Sequence, residues 1–347
     1  MPDSIPIADM PARGRAPDLV DPFGRTITYL RLSVTDRCDL RCRYCMAEDM
    51  TFLPKKDVLS LEELLTVSDA FMDRGVRRIR LTGGEPLVRR NIQWLIDRLG
   101  ARVQSGALDE VTLTTNATQL PAMAGKLARA GVRRINVSLD TLDPATFHAI
   151  TRRNRLDDVR RGLDAAEDAG LKVKLNAVVM KNRNAHTIPD LFDFARHRGF
   201  DLTLIETMPM GDVADAREDT YMPVSALLPA LEARAALTPS DHRTGGPARY
   251  MDIAGSRSRL GLITPLSRNF CSGCNRVRVT CTGQIYMCLG QDDHVDLRAA
   301  LRGPDGAAAL DAALDRAIGA KPEGHDFAVT DGHMTGKVDR HMSMTGG

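Results

Sequence analysis

Net charge is almost absent from this 347-residue chain: 47 Lys and Arg stand against 45 Asp and Glu, leaving +2. So balanced a surface exerts little pull on nucleic acid or on an anionic membrane. Long apolar runs are missing as well. No stretch approaches the ~18 apolar residues of a membrane span. The first twenty residues carry Asp3, Asp9 and Asp18 among prolines, without the apolar core of a signal peptide. These absences predict a cytoplasmic protein that binds neither nucleic acid nor membrane. Wholesale disorder is excluded too, because 43% hydrophobic and 27% charged residues over this length suffice for a large core and for two domains.

Cysteine is missing from the 225 residues between Cys45 and Cys271. All seven cysteines fall in two groups, Cys38, Cys42 and Cys45, then Cys271, Cys274, Cys281 and Cys288. A reducing compartment does not favour disulfides, and an odd number cannot all pair, so the grouping points to two metal sites.

From about residue 26 short β-branched runs alternate with segments of helical period, the rhythm of βα units. The pattern predicts strands at Ile27–Val34, Arg78–Thr82, Glu110–Asn116, Arg134–Asp140, Lys172–Met180 and Asp201–Thr207. Between them lie crossover helices, the first capped by Ser60 with Glu63 three residues on. Gly75, Gly131, Gly170 and Gly199 stand where such helices end. Six parallel strands suit either an open doubly wound sheet or a curved partial barrel, and both collect chemistry at strand C-termini. A further helix is expected around 224–235. A boundary follows in the Pro-, Gly- and charge-rich stretch 238–249. The chain thus divides into a disordered extension over 1–20, an α/β unit over 21–238 and a C-terminal domain over 239–347. In that domain Arg276–Cys281 and Gln284–Leu289, joined by Thr282-Gly283, read as a β-hairpin. The tail from about Lys321 has little periodicity, and mobility is its default expectation.

Cys38-x3-Cys42-x2-Cys45 follows the first strand directly. Three close thiolates can hold three corners of a cubane iron–sulfur cluster and leave one iron open; a zinc knuckle completed from afar is the alternative. With Tyr44 before the last cysteine, the spacing resembles the signature of radical S-adenosylmethionine (SAM) enzymes. That resemblance implies a partial barrel and an open iron that chelates SAM. Thr82-Gly83-Gly84-Glu85-Pro86 is similar to the motif by which such enzymes hold the methionine amino group. Gly83, Gly84, Glu85, Tyr44, Ser138 and Met208 are therefore expected SAM contacts.

Cys271-x2-Cys274-x13-Cys288 offers a second trio. A two-residue turn at Thr282-Gly283 would pair Cys281 with Gln284 and set Cys288 abreast of Val277. Cys281 would then lie roughly 14 Å along the hairpin, too far to join Cys274. Arg276 and Arg278, two apart on a strand, share a face and could fork a phosphate or a purine edge.

Both groups, with Gly346-Gly347 and segments such as Leu30–Cys38 and Phe270–Arg276, resemble the molybdenum cofactor biosynthesis protein A family, the GTP 3′,8-cyclases, from about Phe23 onward. The implied fold is an α/β partial (βα)6 barrel of the radical SAM type, with a C-terminal domain carrying a β-hairpin and a second cluster. The implied cofactors are two [4Fe-4S] clusters, on Cys38, Cys42 and Cys45 and on Cys271, Cys274 and Cys288, together with SAM. An adenosyl radical would take hydrogen from the ribose 3′ carbon of GTP, and the sugar radical would attack carbon 8 of guanine. Reduction and protonation then give 3′,8-cyclo-7,8-dihydro-GTP. The resemblance makes Arg31, Arg80, Thr114, Lys174, Arg276, Val277 and Arg278 substrate contacts, with Arg31, Arg276 and Arg278 serving catalysis. It brings the Gly-Gly tail into the pocket. It implies a flavodoxin- or ferredoxin-type electron donor and a downstream cyclic pyranopterin monophosphate synthase, and leaves a homodimer open. Two positions depart from the family: Thr203 replaces an arginine and Ala117 a glycine. Two other readings stay open, a radical SAM enzyme with an auxiliary cluster that acts on a peptide, and a non-catalytic zinc scaffold.

Overall fold

The computed structural model describes residues 17–211, 217–330, 333–336 and 338–346. Six strands follow the expected rhythm: β1 (Tyr29–Ser33), β2 (Arg78–Thr82), β3 (Glu110–Thr115), β4 (Arg134–Ser138), β5 (Lys172–Val179) and β6 (Asp201–Glu206). The helices between them are α1 (Leu61–Asp73), α2 (Ile92–Gln104), α3 (Leu120–Arg129), α4 (Pro144–Thr151), α5 (Leu156–Asp168) and α6 (Ile188–Arg198). Helix α1 starts in a complete capping box: Glu63 N donates to Ser60 Oγ while Ser60 N donates to the Glu63 carboxylate. Leu64, Val67 and Phe71, spaced by three and four, bury its inner face. Gly75, Gly131, Gly170 and Gly199 all carry positive φ where the helices stop. The helix expected at 224–235 is a 3-10 turn, Val224–Leu227, running into Leu228–Glu232.

Six more strands complete one sheet: β7 (Leu237–Ser240), β8 (Arg249–Ile253), β9 (Arg259–Ile263), β10 (Arg276–Val279), β11 (Gln284–Tyr286) and β12 (His294–Asp296). The order is β12-β11-β10-β1-β2-β3-β4-β5-β6-β9-β8-β7. Strand β10 runs parallel to β1, and β9 runs parallel to β6. The sheet therefore continues across the stretch 238–249, with C-terminal strands on both edges. Among the described residues no helix is long and apolar enough to cross a membrane.

Three expectations change. The hairpin pairs Arg278 with Tyr286 and Val279 with Ile285, so its loop is Cys281-Thr282-Gly283 rather than two residues. Thr280 closes this loop: its N–H donates to Gln284 O, its carbonyl accepts from Gly283 N and its Oγ1 accepts from Gln284 N. Gly283 takes the left-handed third position, φ 86°. Continued outward, the register sets Cys288 level with Arg276 rather than Val277. Second, residues 17–20 are not a loose extension, since Leu19 is buried and exchanges hydrogen bonds with Arg74 and Ile27; residues 1–16 lie outside the described residues. Third, the tail is packed where it is described. Val338 bridges to Met210 and joins Phe327 in a small second core, while Ser343 and Thr345 are buried. Tertiary contacts order a segment whose own sequence has no period.

Candidate functional site

A cavity with about 2120 Å³ of space not filled by atoms, part of it open to solvent, runs inside the curved sheet. Cys38, Cys42 and Cys45 line it just past the C-terminal end of β1, as βα logic expects. Cys271, Cys274 and Cys288 line it as well. They stand at the opposite mouth, because Cys274 precedes the parallel strand β10 and Cys288 follows the antiparallel β11. The expectation that all chemistry gathers at strand C-termini holds for the first trio only.

Loop contacts hold the first trio. Arg41 N and Arg43 N donate to Thr151 O and Ile150 O, which fastens the loop to the end of α4, and Cys45 N returns to Cys42 O. Asp39 accepts from Asn116 Nδ2 and Thr118 Oγ1, both at 2.6 Å, and from Arg155. Asn116 Nδ2 also reaches Cys38 Sγ at 3.8 Å. Tyr44 does not stand free: its hydroxyl donates to Asp140 Oδ2 at 2.9 Å. Burial, reinforced by Glu85, pushes the Cys38 thiol up to about 12, and burial likewise raises Cys42. Such thiols stay protonated until a metal displaces the proton.

The glycine motif serves two neighbours. Gly84 N donates to Thr35 O and Glu85 N to Arg37 O, so the loop lies directly against the approach to Cys38. A Cβ on Gly83 or Gly84 would fall inside 3.0 Å of Thr35 or Arg37 backbone. Gly83 and Gly84 also line the cavity, with Ser138 and Met208. Glu85 does not. Fully buried, its carboxylate accepts from Leu87 N, Thr115 Oγ1 and Asn116 N. Those donors tie the end of β2 to the end of β3, and burial lifts the carboxyl to about 7. Of the SAM contacts expected from sequence, this one stands behind the wall, where three protein donors occupy its oxygens.

At the second mouth Cys271 and Cys274 share one 3-10 turn, with Cys274 N donating to Cys271 O. Burial raises Cys288, whereas at Cys274 the charges of Arg276 and Lys321 outweigh burial and lower the thiol. Cys281 lies outside the cavity, 2% exposed, and burial with Asp36 nearby pushes it up to about 11. Among the described residues no three His, Cys, Asp or Glu side chains are placed to hold a single metal ion. Thiolates on one zinc would stand about 3.8 Å apart given Zn–S bonds of about 2.3 Å. The three thiols lining the cavity at each mouth suit three corners of a cubane with one open iron.

Between the mouths the wall is cationic. Arg31, Arg80, Thr114, Lys174, Arg276, Val277 and Arg278 all line it. Burial, then Arg278 and Arg80, lower Arg31; burial and Arg276 bring Arg278 down to about 9. Burial and Arg80 bring Lys174 to about 7, and its Nζ donates to Tyr250 Oη at 2.9 Å. Arg31 Nε, Arg80 Nε, Arg276 Nε, Thr82 Oγ1, Asn176 Oδ1 and Thr207 Oγ1 are buried without hydrogen-bond partners. Each such group costs about 1–3 kcal/mol, so six in one wall mark a place for ligands. From the tail, Gly346 O accepts from Arg278 Nη1 at 2.8 Å; Gly347 lies outside the described residues.

Thr203, one of the departures, is buried beside Gly261 and outside the lining. Ala117 adopts φ 69°, the left-handed geometry that glycine takes without cost. Sequence reasoning missed Asp39, Asn116, Asn176, Tyr250 and Lys321. Asn116 directly follows β3, a detectable signal, whereas Asn176 sits inside β5 and Lys321 lies in the stretch read as mobile.

Comparison with known proteins agrees with this geometry. Residues 32–195 match the radical SAM superfamily model, and residues 200–327 match Molybdenum Cofactor Synthesis C. A Rhizobium etli protein named GTP 3′,8-cyclase is 59% identical over 97% of both chains. One of the same name from Agrobacterium fabrum is 60% identical over 95% of this chain and 94% of its own. In fold, the chain is similar to Streptococcus suis SuiB bound to S-adenosylmethionine, with TM-score 0.55 and 18% identity over 82% of this chain and 68% of that one. Identity this high over almost the whole length settles descent: the chain belongs to the GTP 3′,8-cyclase family of radical SAM enzymes.

Proposed function

We propose that this chain converts GTP to 3′,8-cyclo-7,8-dihydro-GTP at the start of molybdenum cofactor biosynthesis. The observation that carries the reading is one cavity with a thiol trio at each mouth and an unpaired cationic wall between them. When bound, a [4Fe-4S] cluster on Cys38, Cys42 and Cys45 with SAM supplies hydrogen abstraction, and a second cluster on Cys271, Cys274 and Cys288 supplies an open iron for the nucleotide.

The protein's own part is positioning. Arg276 and Arg278 project from alternate positions of β10 beside Arg31, and Arg80 stands on β2. Together they meet the charge of a triphosphate and fix where the ribose lies. Lys174, held by Tyr250, and Thr114 extend this grip. Tyr44, Gly83, Gly84, Ser138 and Met208 face SAM. Glu85 acts at one remove by fixing the glycine loop. Val277, Met208 and Phe270 give the cavity apolar surface that keeps water from a reactive intermediate. Gly346, bonded to Arg278, closes the wall near Thr82. Electrons come from a flavodoxin- or ferredoxin-type donor, and the product passes to cyclic pyranopterin monophosphate synthase, both in the cytoplasm. The division near residue 238 is then one of roles, with SAM chemistry before it and substrate binding after it.

The test is anaerobic incubation of the reconstituted enzyme with SAM, dithionite and GTP. The expected result is the cyclised nucleotide with methionine and 5′-deoxyadenosine. SAM cleavage that ignores GTP and yields no cyclised nucleotide would overturn the reading, as would undiminished cleavage in Cys42→Ala.

A further inference from the structure

Behind the second thiol trio lies a buried cation that the proposed function does not use. Lys321 follows the helix Gly306–Gly319, and it is 3% exposed. Its Nζ donates to Met287 O at 2.9 Å and to Cys274 Sγ at 3.6 Å. Among the described residues it forms no ion pair with a carboxylate.

The backbone around it is fixed. Arg25 donates to Cys271 O at 2.7 Å, Glu323 O at 2.5 Å and Pro322 O at 2.6 Å, and Asp21 anchors Arg25 in turn. At Gly324 a Cβ would meet Cys271 Cβ and Sγ at 3.3 and 3.4 Å. The segment 321–324 is thus clasped against the outer side of the trio, and Lys321 has little room to swing to solvent.

A buried ammonium without a counter-charge is expensive, and the neutral carbonyl of Met287 does not supply one. A cubane with a core charge of 2+ on three thiolates carries one net negative charge, and a second after it takes up one electron. We propose that Lys321 is the charge partner of the C-terminal cluster, favouring its reduced form and hydrogen-bonding the Cys274 sulfur. This rests on the proposed assignment of Cys271, Cys274 and Cys288 as cluster ligands. Lys321 is a positioning and tuning residue; no bond to it forms or breaks.

The test is a dithionite titration of the full-length, two-cluster enzyme followed by electron paramagnetic resonance and iron analysis. Lys321→Met removes charge and donor, Lys321→Gln keeps a donor without the charge, and Lys321→Arg keeps the charge. For Met and Gln the one-electron reduction constant of one cluster should fall about tenfold, which is 59 mV, while the other cluster stays put. Arg should titrate like the unaltered enzyme. Should Met and Gln both shed about four irons while Arg holds about eight, charge compensation is again supported. An unshifted Gln variant with full iron, or iron loss in all three, overturns the role of Lys321 alone. An unaltered enzyme holding only about four irons overturns the second cluster itself.

Discussion

Gly346→Ala tests whether the docked tail belongs to the working site. Gly346 carries φ 68° and ψ 145°, outside the left-handed helical region and close to backbone that essentially only glycine adopts, which costs an L-residue about 1–3 kcal/mol. A Cβ there would overlap Thr82 Oγ1 and Cβ and stand 3.0 Å from Gly83 N. The wall cannot yield easily, since Gly84 N and Glu85 N bind the next loop. Overpacking of this kind adds about 1–3 kcal/mol. The docked state is thus raised by about 2–6 kcal/mol, which lowers the tail's docking equilibrium constant on the order of 30-fold at the least. Arg278 then loses its carbonyl partner in the tail. The assay is cyclised nucleotide formed per SAM cleaved, with amide exchange across 342–346 read in parallel. Yield should fall and tail exchange should rise while iron content stays whole. Gly131→Ala is the control, for it also places a side chain at positive φ, 91°, but with nothing within 4 Å of the new methyl. It should lower stability slightly and leave the yield alone. A Gly346→Ala enzyme with wild-type yield and a protected tail would refute the argument.

Cys281→Ser should retain every iron, because Cys281 faces Asp36 and Arg89 rather than the cavity; loss of about one cluster's iron would show that it is a ligand. Ala117→Gly should leave thermal stability within about 1 kcal/mol, since relief of about 1–2 kcal/mol of backbone strain is offset by unfolded-chain entropy and a lost buried methyl. A larger change in the melting transition would contradict that balance. Lys174 is lowered to about 7, so between there and 10.5 the unfolded chain holds a proton that the folded chain lacks, and unliganded stability rises with pH. A triphosphate restores the charge, so GTP binding at pH 8 should take up a proton at Lys174. Calorimetry in two buffers of different ionisation heat checks this, and an equal uptake in Lys174→Met would exclude that residue.

Much of the barrel was legible because βα units announce themselves locally. Ser60 and Glu63 mark a helix start, and Gly75 or Gly170 a helix end, using only neighbours in sequence. The six cavity-lining cysteines were legible for the same reason, each trio being carried by close spacing. What escaped was set by distant partners. Thr280 lengthens the hairpin loop through its side chain, a choice that pairing rules for Thr282-Gly283 do not contain. Glu85 turns from the cavity because three donors on β3 and its own turn claim its oxygens. Lys321 lies 47 residues beyond the sulfur it touches, in a segment whose order comes from Arg25.

The placement of β10 explains why two chemistries share one space. Had the hairpin formed its own layer, the second trio would face solvent. Instead Tyr29 pairs with Arg276 and Arg31 with Arg278, while Arg31 also pairs with Arg80 across β2. In-register residues of parallel strands point to one face, so three guanidiniums form a row. From the level of Arg276 to the end of β1 at Ser33 is four residues, about 13 Å at ~3.3 Å each, and a thiol trio lies beyond either end. A nucleotide triphosphate laid along the strand direction, crossing that row, spans the distance between them. Among the described residues none of Arg31, Arg80, Arg276 and Arg278 pairs with a carboxylate. Because a guanidinium keeps its proton, the downward shifts of Arg31, Arg80 and Arg278 express repulsion and desolvation held by the fold. The surrounding parallel sheet offsets that cost, and an anion entering between the mouths releases it, so substrate binding and relief of the wall's internal repulsion are one event.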